Sequence, residues 1–79
     1  MVSTPDPLLR QIGARIREAR TLKGWSQEEL ADRADVDRSY MSGIERGVRN
    51  LSVLKLARVA RALRTPVQNL FGVEGPAKH

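Results

Sequence analysis

Apolar residues near the start of the chain recur every three or four positions, which is the spacing of one face of an α-helix. They are Leu8, Ile12, Ile16 and Ala19. Asp6 can cap a helix that has Pro7 at its first position, and Gly24 can end it, so the pattern predicts a first helix over about 7–23. No strand-like alternation of apolar and polar residues continues for more than a few positions, so the fold is predicted to be all-α.

Two short helices separated by a tight turn are predicted over about 27–46. Ser26 stands three residues before Glu29, which is the spacing of a capping box, and it begins a helix over about 27–34. Asp37 can cap the next helix, over about 38–46, and Gly47 can end it. The apolar positions of this segment are Leu30, Ala34, Val36, Met41 and Ile44. Two short helices packed across a tight turn are the pattern of a helix-turn-helix.

The rest of the chain predicts two further helices and a tail. Ser52 can cap a fourth helix with a wide apolar arc, made by Val53, Leu56, Ala57, Val59, Ala60 and Leu63. Thr65 as a cap and Pro66 at the first helical position predict a short fifth helix that ends at Gly72. We therefore expect one compact five-helix domain over 1–79, with an ordered core over about 6–72 and a loose tail over 73–79.

Composition removes several classes of function. The 79 residues include no cysteine and a single histidine, His79, so we expect no metal site. The chain has no glycine-rich phosphate loop and its serines lack a base partner, so we expect no enzyme activity and no cofactor. No apolar run approaches the roughly 18 residues of a membrane span, and arginines interrupt residues 1–20, so a cytoplasmic protein is expected.

The charge of the chain is unevenly distributed. The formal net charge is +5, but residues 27–37 contain five acidic residues and one arginine, so the remainder of the chain carries +9. This imbalance favours a polyanionic partner, and the alternative is an ordinary solvated basic surface.

Four stretches of the chain carry a family resemblance. They are residues 16–20 (Ile-Arg-Glu-Ala-Arg), 23–31 (Lys-Gly-Trp-Ser-Gln-Glu-Glu-Leu-Ala), 42–47 (Ser-Gly-Ile-Glu-Arg-Gly) and 57–63 (Ala-Arg-Val-Ala-Arg-Ala-Leu). Together they resemble the lambda repressor-like, or XRE-type, family of transcription regulators over roughly residues 10–71. The resemblance implies a lambda repressor-like DNA-binding domain whose partner is the major groove of double-stranded DNA.

Within that family, residues 37–46 and 49–52 look most like the controller proteins of restriction-modification systems. This likeness implies a small homodimer that binds an inverted-repeat operator and regulates its own gene. Two positions depart from the family pattern, since Asp35 stands where glycine is usual and Leu54 where a polar residue is usual. Aspartate tolerates a left-handed backbone better than most residues, so the turn should survive at a modest cost.

Helix geometry selects the residues that would read bases. Met41 and Ile44 define the inward face of the third helix, and the N-terminal end of such a helix enters the major groove. The base-reading candidates are therefore Arg38, Ser39, Tyr40, Ser42 and Gly43. Arg38 can form a bidentate contact with guanine, although it can also contact a phosphate or a neighbouring aspartate. Tyr40 can touch DNA or pack on the edge of the core.

Phosphate contacts are expected from groups that frame the third helix. Gln27 combines a side-chain amide with the unpaired backbone N–H groups at the start of the second helix. The candidates on the other side are Arg46, Arg49, Asn50, Ser52 and Lys55. The family resemblance also implies a structural ion pair between Arg20 and Glu45, which excludes both residues from the DNA-facing surface.

A dimer interface is predicted from apolar residues that exceed what one packing face needs. The candidates are Val67, Leu70, Phe71 and Leu54. The alternatives are that the three residues of the fifth helix close the core of a single chain, and that Leu54 is simply an exposed leucine.

The charges along the chain also suggest partners other than DNA. The acidic start of the second helix, at Glu28 and Glu29, is a candidate contact for RNA polymerase. The rival function is an XRE-type protein-interaction module or antitoxin that acts through a protein partner. A polar and cationic outer face on the third helix favours DNA over that rival.

Overall fold

The computed structural model describes residues 6–71 of the chain, and this part contains five α-helices. Helix α1 spans Pro7–Leu22, α2 spans Gln27–Ala34, α3 spans Arg38–Arg46, α4 spans Val53–Leu63 and α5 spans Val67–Leu70. The predicted all-α fold and the helix-turn-helix at 27–46 are confirmed. The predicted end of the last helix at Gly72 and the tail over 73–79 lie outside the described residues.

Side-chain caps fix where four of the helices begin. Asp6 Oδ1 accepts a hydrogen bond from the Leu8 N–H at 2.8 Å, and Ser26 Oγ accepts one from the Glu29 N–H at 3.1 Å. Asp37 caps α3, and Ser52 Oγ accepts from the Lys55 N–H at 3.1 Å at the start of α4. Each cap satisfies a first-turn N–H that has no partner inside its helix, which stabilises a helix by about 1 kcal/mol.

The start of α5 differs from the prediction. Pro66 is the N-cap residue of this four-residue helix and Thr65 is not, so the expected capping box does not form. The Thr65 hydroxyl instead donates to the carbonyl oxygen of Leu63, at 3.4 Å. The helix therefore starts one residue later than local sequence signals predicted, and the backbone N–H of Thr65, which a capping box would use, is bonded to the Ala60 carbonyl.

The core lies between the helices, where α3 packs on α1 and α2, α4 packs on α2, and α5 packs on α1 and α4. Its fully buried large side chains are Ile16, Leu30, Met41, Ile44, Val59, Leu63 and Leu70. Val53 was expected in the apolar arc of α4 but is 84% exposed. It is the first residue of α4, and the first turn of this helix extends beyond the part that packs on the core. The stripe that packs is therefore made by Leu56, Val59, Ala60 and Leu63.

Two glycines allow α1 and α3 to approach closely. A Cβ atom on Gly13 would lie 2.3 Å from the carbonyl oxygen of Ile44, and one on Gly47 would lie 2.6 Å from the Cα atom of Arg10. Neither contact leaves room for a side chain. The close approach brings the C-terminal end of α3 against α1, where the ion pair described below forms.

The turn between α2 and α3 passes through a left-handed residue. Asp35 has φ 59° and ψ 48°, and its N–H bonds to the carbonyls of Ala31 and Asp32. Aspartate therefore fills the left-handed position where glycine is usual in the family, as predicted from its tolerance of this conformation.

We expect Asp35→Gly to raise the free energy of unfolding by about 0.5–1 kcal/mol, because glycine adopts this conformation without steric cost. Asp35 is exposed, so the substitution removes no core contact. The measurement is urea unfolding, with Asp32→Gly in the same helix as the control. That variant should lose a few tenths of a kcal/mol, since Asp32 has an ordinary helical backbone. A loss of stability in both variants would contradict this account of the turn.

Candidate nucleic-acid interface

The N-terminal end of α3 presents the first base-reading candidates to solvent. Arg38 and Ser39 are both exposed, and Ser42, one turn later, is half-buried. The helix begins against its Asp37 cap and is anchored below by the buried side chains of Met41 and Ile44. These anchors fix the outward direction of the N-terminal turn, as the helical wheel predicted.

Asp37 organises this end of the helix. Its Oδ2 atom accepts hydrogen bonds from the Ser39 hydroxyl, from the Ser39 N–H at 3.0 Å and from the Tyr40 N–H at 3.3 Å. The Ser39 side chain, together with the two backbone N–H groups, holds the pKa of Asp37 below its ordinary value. A pKa that is lowered on folding means that the cap stabilises α3 at neutral pH and that this stabilisation is lost as the pH falls through that pKa.

Gly43 lies on the outer face of α3, where the side chain of Arg49 covers it, so it is not open to solvent. The residue is buried, and a Cβ atom there would lie 2.4 Å from Cγ of Arg49. The side chain of Arg49 crosses α3 at this point. Gly43 therefore makes room for an arginine from the following loop, and it is the arginine that occupies this part of the outer face.

Tyr40 joins α3 to the loop that follows it. Its hydroxyl donates to the carbonyl oxygen of Asn50 at 2.8 Å, and its half-buried ring packs against the core. Two cations flank the ring, with Arg49 Cζ 5.6 Å and Lys55 Nζ 5.2 Å from its centroid. Such contacts are attractive because the face of an aromatic ring is electron-rich. Tyr40 thus holds two candidate phosphate-binding residues, Arg49 and Lys55, beside α3.

The remaining phosphate candidates lie on both sides of α3. Arg46, Arg49, Asn50 and Ser52 are exposed, and Lys55 is half-buried. Ser52 uses its oxygen to cap α4, which leaves its hydroxyl proton free to donate. On the opposite side, Gln27 is the first residue of α2 and is half-buried, with its Nε2 atom donating to Glu45 Oε1 at 3.0 Å.

The ion pair between Arg20 and Glu45 is present, with Glu45 buried and Arg20 half-buried. Arg20 Nε lies 2.7 Å from Glu45 Oε2, and Arg20 Nη2 lies 3.0 Å from Oε1, so the pair is bidentate. The third nitrogen, Nη1, donates to the carbonyl oxygen of Trp25 at 2.8 Å. The carboxylate of Glu45 raises the pKa of Arg20. Both residues belong to the scaffold, where they tie α1 to α3 and to the start of α2.

The acidic residues of α2 form a separate surface. Glu28, Glu29 and Asp32 are all exposed, and Glu29 Oε2 accepts from Arg33 Nε at 2.8 Å. The guanidinium of Arg33 also stacks on the ring of Trp25, 4.2 Å from its centroid. Pairing with Arg33 keeps part of this negative charge neutralised along the helix.

The candidate dimer residues have different environments. Leu70 is 1% exposed and belongs to the core of the single chain, so its prediction as an interface residue is wrong. Val67 and Phe71 are half-buried and pack against the same core, which follows because α5 closes over α1 and α4. Leu54 is 63% exposed and lies next to the exposed Val53. Among the candidate residues, the accessible apolar surface is therefore that of Leu54 and the outer parts of Val67 and Phe71.

Several other features bear on the class of protein. Within residues 6–71, no group of histidine, cysteine or acidic side chains could hold a metal ion. None of the helices described for the chain is both long and apolar enough to cross a membrane. Two short helices, α2 and α3, joined by a tight turn through Asp35 define a helix-turn-helix domain.

Comparison with known proteins agrees with this class. A family model described as helix-turn-helix matches residues 16–70, so the chain belongs to this family, and it is a transcription regulator of the XRE type. It is 39% identical over 60 residues to control protein C.BamHI of Bacillus amyloliquefaciens, covering 75% of this chain and 74% of that protein. It is also 43% identical over 61 residues to SinR of Bacillus subtilis, covering 76% of this chain but only 55% of SinR.

Solved structures of controller proteins share the fold. The controller protein C.AhdI from Aeromonas hydrophila is 47% identical and superposes with a TM-score of 0.76, covering 78% of this chain and 94% of that one. C.Esp1396I, solved as a tetramer with its natural 35 base-pair operator, is 36% identical with a TM-score of 0.76, covering 85% and 88% of the two chains. The lambda repressor-like fold that the resemblance implied is confirmed.

Proposed function

We propose that the chain binds an inverted-repeat operator as a homodimer and acts as a restriction-modification controller protein that regulates its own gene. The observation that carries this proposal is the outer face of α3, where exposed Arg38 and Ser39 lead into a region crossed by the side chain of Arg49. The controller proteins among its relatives support the assignment to a restriction-modification system. A cytoplasmic location and the absence of enzyme activity belong to the same proposal.

Base reading is assigned to the N-terminal end of α3. Arg38 donates to O6 and N7 of guanine, a contact that discriminates by about 1–3 kcal/mol. Ser39, Tyr40 and Ser42 contact bases or adjacent phosphates. The phosphate contacts come from Gln27 on one side and from five residues on the other, which are Arg46, Arg49, Asn50, Ser52 and Lys55.

Arg38→Ala is expected to flatten the base preference at one position of each half-site, because the bidentate donor is removed. Lys55→Ala is the matched control, since it removes a positive charge from the same surface without removing a base contact. That variant should weaken binding to all sequences alike and reduce the salt slope by about one. Affinity for a set of single-base operator variants measures both effects. A uniform loss in Arg38→Ala would remove this residue from the base-reading set.

The dimer is assigned to the apolar surface made by Leu54, Val67 and Phe71. A two-fold symmetric pair places the two reading helices about 34 Å apart, one turn of DNA, which requires an inverted repeat. Pairing through these residues also covers apolar area that a single chain leaves in contact with water.

Selection from a randomised duplex pool at about 150 mM salt tests the proposal, because non-specific phosphate binding is weak at that salt concentration. Enrichment of an inverted repeat with half-sites about one turn apart, found again upstream of the chain's own gene, is the expected result. Binding that is absent or indifferent to sequence would favour the rival function of a protein-interaction module or antitoxin.

RNA polymerase is proposed as a further partner, contacted by the exposed acidic residues at the start of α2. Replacing Glu28 and Glu29 together with glutamine is expected to lower transcription from an activated promoter several-fold while operator affinity changes less than about twofold. In vitro transcription alongside an affinity measurement separates the two. A parallel loss of affinity and transcription would assign these residues to DNA binding or folding instead.

A further inference from the structure

The carboxylate of Glu45 makes one more hydrogen bond than the ion pair requires. Arg20 already occupies both of its oxygens, at 2.7 Å and 3.0 Å, and the Glu45 side chain is only 2% exposed. Oε1 nevertheless also accepts from Gln27 Nε2, at 3.0 Å. The scaffold pair therefore extends to the first residue of α2, a residue that the proposed function places against a DNA phosphate.

This third bond restricts an otherwise mobile side chain. Gln11 and Gln68, the other glutamines of the chain, are exposed, whereas Gln27 is half-buried against Glu45. The amide nitrogen of Gln27 has two protons, and only one is used by Glu45, so a second donor remains. A carboxylate also repels the amide oxygen, which fixes the amide with its N–H end towards Glu45.

The side-chain amide of Gln27 lies beside the backbone N–H donors at the start of α2. At the start of α2, the Glu29 N–H is taken by Ser26 Oγ and the Leu30 N–H by the Ser26 carbonyl. The N–H groups of Gln27 and Glu28 come earlier in the first turn and have no partner within the helix. An immobilised amide next to these groups binds a phosphate without the entropy cost of ordering a free side chain, a difference worth about three- to tenfold in affinity.

We infer that Glu45 is a positioning residue for DNA binding, which holds the side-chain amide of Gln27 ready to donate to a phosphate at the start of α2. The inference rests on the proposed function. It gives the buried pair a second role, because the same carboxylate that joins α1 to α3 also sets the geometry of a contact on the surface.

A double-mutant cycle on operator affinity tests this role. Glu45→Gln retains one acceptor oxygen, which the charged guanidinium of Arg20 takes in preference to the neutral amide. We expect Gln27→Ala to weaken binding about tenfold and Glu45→Gln about fivefold, whereas Glu45→Gln in the Gln27→Ala background should add less than about twofold. All affinities are measured where unfolding curves show each variant to be folded.

The control cycle pairs Glu45→Gln with Lys55→Ala. Lys55 and Glu45 do not hydrogen-bond to each other. The losses of affinity caused by the two substitutions should therefore multiply, with a coupling of less than about twofold. Equal effects of Glu45→Gln with and without the Gln27 side chain would overturn the inference and leave Glu45 purely structural. Undiminished binding by Gln27→Ala would instead reject the phosphate contact in the proposed function, and a wild type that binds no operator would reject that function altogether.

A second measurement uses the unaltered protein and does not depend on whether Glu45→Gln folds. Nitrogen-15 relaxation of the glutamine side-chain amides should show Gln27 nearly as ordered as the backbone, with Gln11 and Gln68 mobile in the same spectrum. An amide of Gln27 as mobile as those two references would contradict the positioning role.

Discussion

Replacing Gly13 with alanine is expected to remove at least about 3 kcal/mol from the free energy of unfolding. The added Cβ atom would lie 2.3 Å from the carbonyl oxygen of Ile44 and 2.6 Å from that of Glu45. Both atoms belong to the backbone of α3, so no side-chain rotation relieves the overlap and the two helices must separate. Overpacking typically costs 1–3 kcal/mol and occasionally more, and a core of this size supplies only about 3–5 kcal/mol.

Urea unfolding followed by the fluorescence of Trp25, the single tryptophan, measures this loss. Ala14→Gly is the control, because Ala14 is the next residue of α1 and is exposed. That change should cost about 1 kcal/mol through helix propensity alone. By propensity alone Gly13→Ala would be stabilising, so the sign of its effect separates the two explanations. A stabilised Gly13→Ala variant would show that α1 and α3 do not cross this closely.

Four of the five helix starts were predictable because their signals are local. Each capping side chain accepts a hydrogen bond from an N–H only two or three residues further along the chain, as seen at Asp6, Ser26, Asp37 and Ser52. The left-handed turn at Asp35 also needed the family resemblance, which marks this position as one where glycine is usual, together with the tolerance of aspartate for this conformation. The signal of a cap is contained in a few neighbouring residues, so one sequence suffices to predict it.

Several features that the sequence did not reveal depend on distant residues. Gly13 reads locally as a weak helix former, and its close contact with α3 depends on residues more than thirty positions away. Gly43 is outward on a helical wheel, yet Arg49 from the next loop covers it. Leu70 is apolar in either a core or an interface, and only the packing of α5 on α1 and α4 decides between them.

The candidate site shows the same division. Residue types and the direction of α3 predicted the exposed positions of Arg38 and Ser39. The contact between Gln27 and Glu45 joins residues 18 positions apart, and no local pattern predicts it. The family resemblance supplied the pair of Glu45 with Arg20, but its extension to α2 required the three-dimensional arrangement.

Arg20→Met is expected to cost about 3–5 kcal/mol, because it leaves the carboxylate of Glu45 buried without its cationic partner. The carbonyl of Trp25 also loses its donor. Arg17→Met is the control, since Arg17 is an exposed arginine of the same helix and its loss should cost less than about 0.5 kcal/mol. Chemical unfolding gives both values. A cost below about 1 kcal/mol for Arg20→Met would mean that the pair does not stabilise the fold.

Replacing both partners of the pair with methionine should restore most of that stability. Apolar residues of similar volume often match or exceed a buried ion pair, because the desolvation cost of both charges is removed. The half-buried amide of Gln27 can then turn towards water. The chain should therefore still fold, but the amide loses its fixed geometry. We therefore expect the double variant Arg20→Met/Glu45→Met to fold with a stability within about 2 kcal/mol of the wild type and to bind operator DNA several-fold more weakly. A folded double variant with wild-type affinity would separate the ion pair from DNA binding entirely.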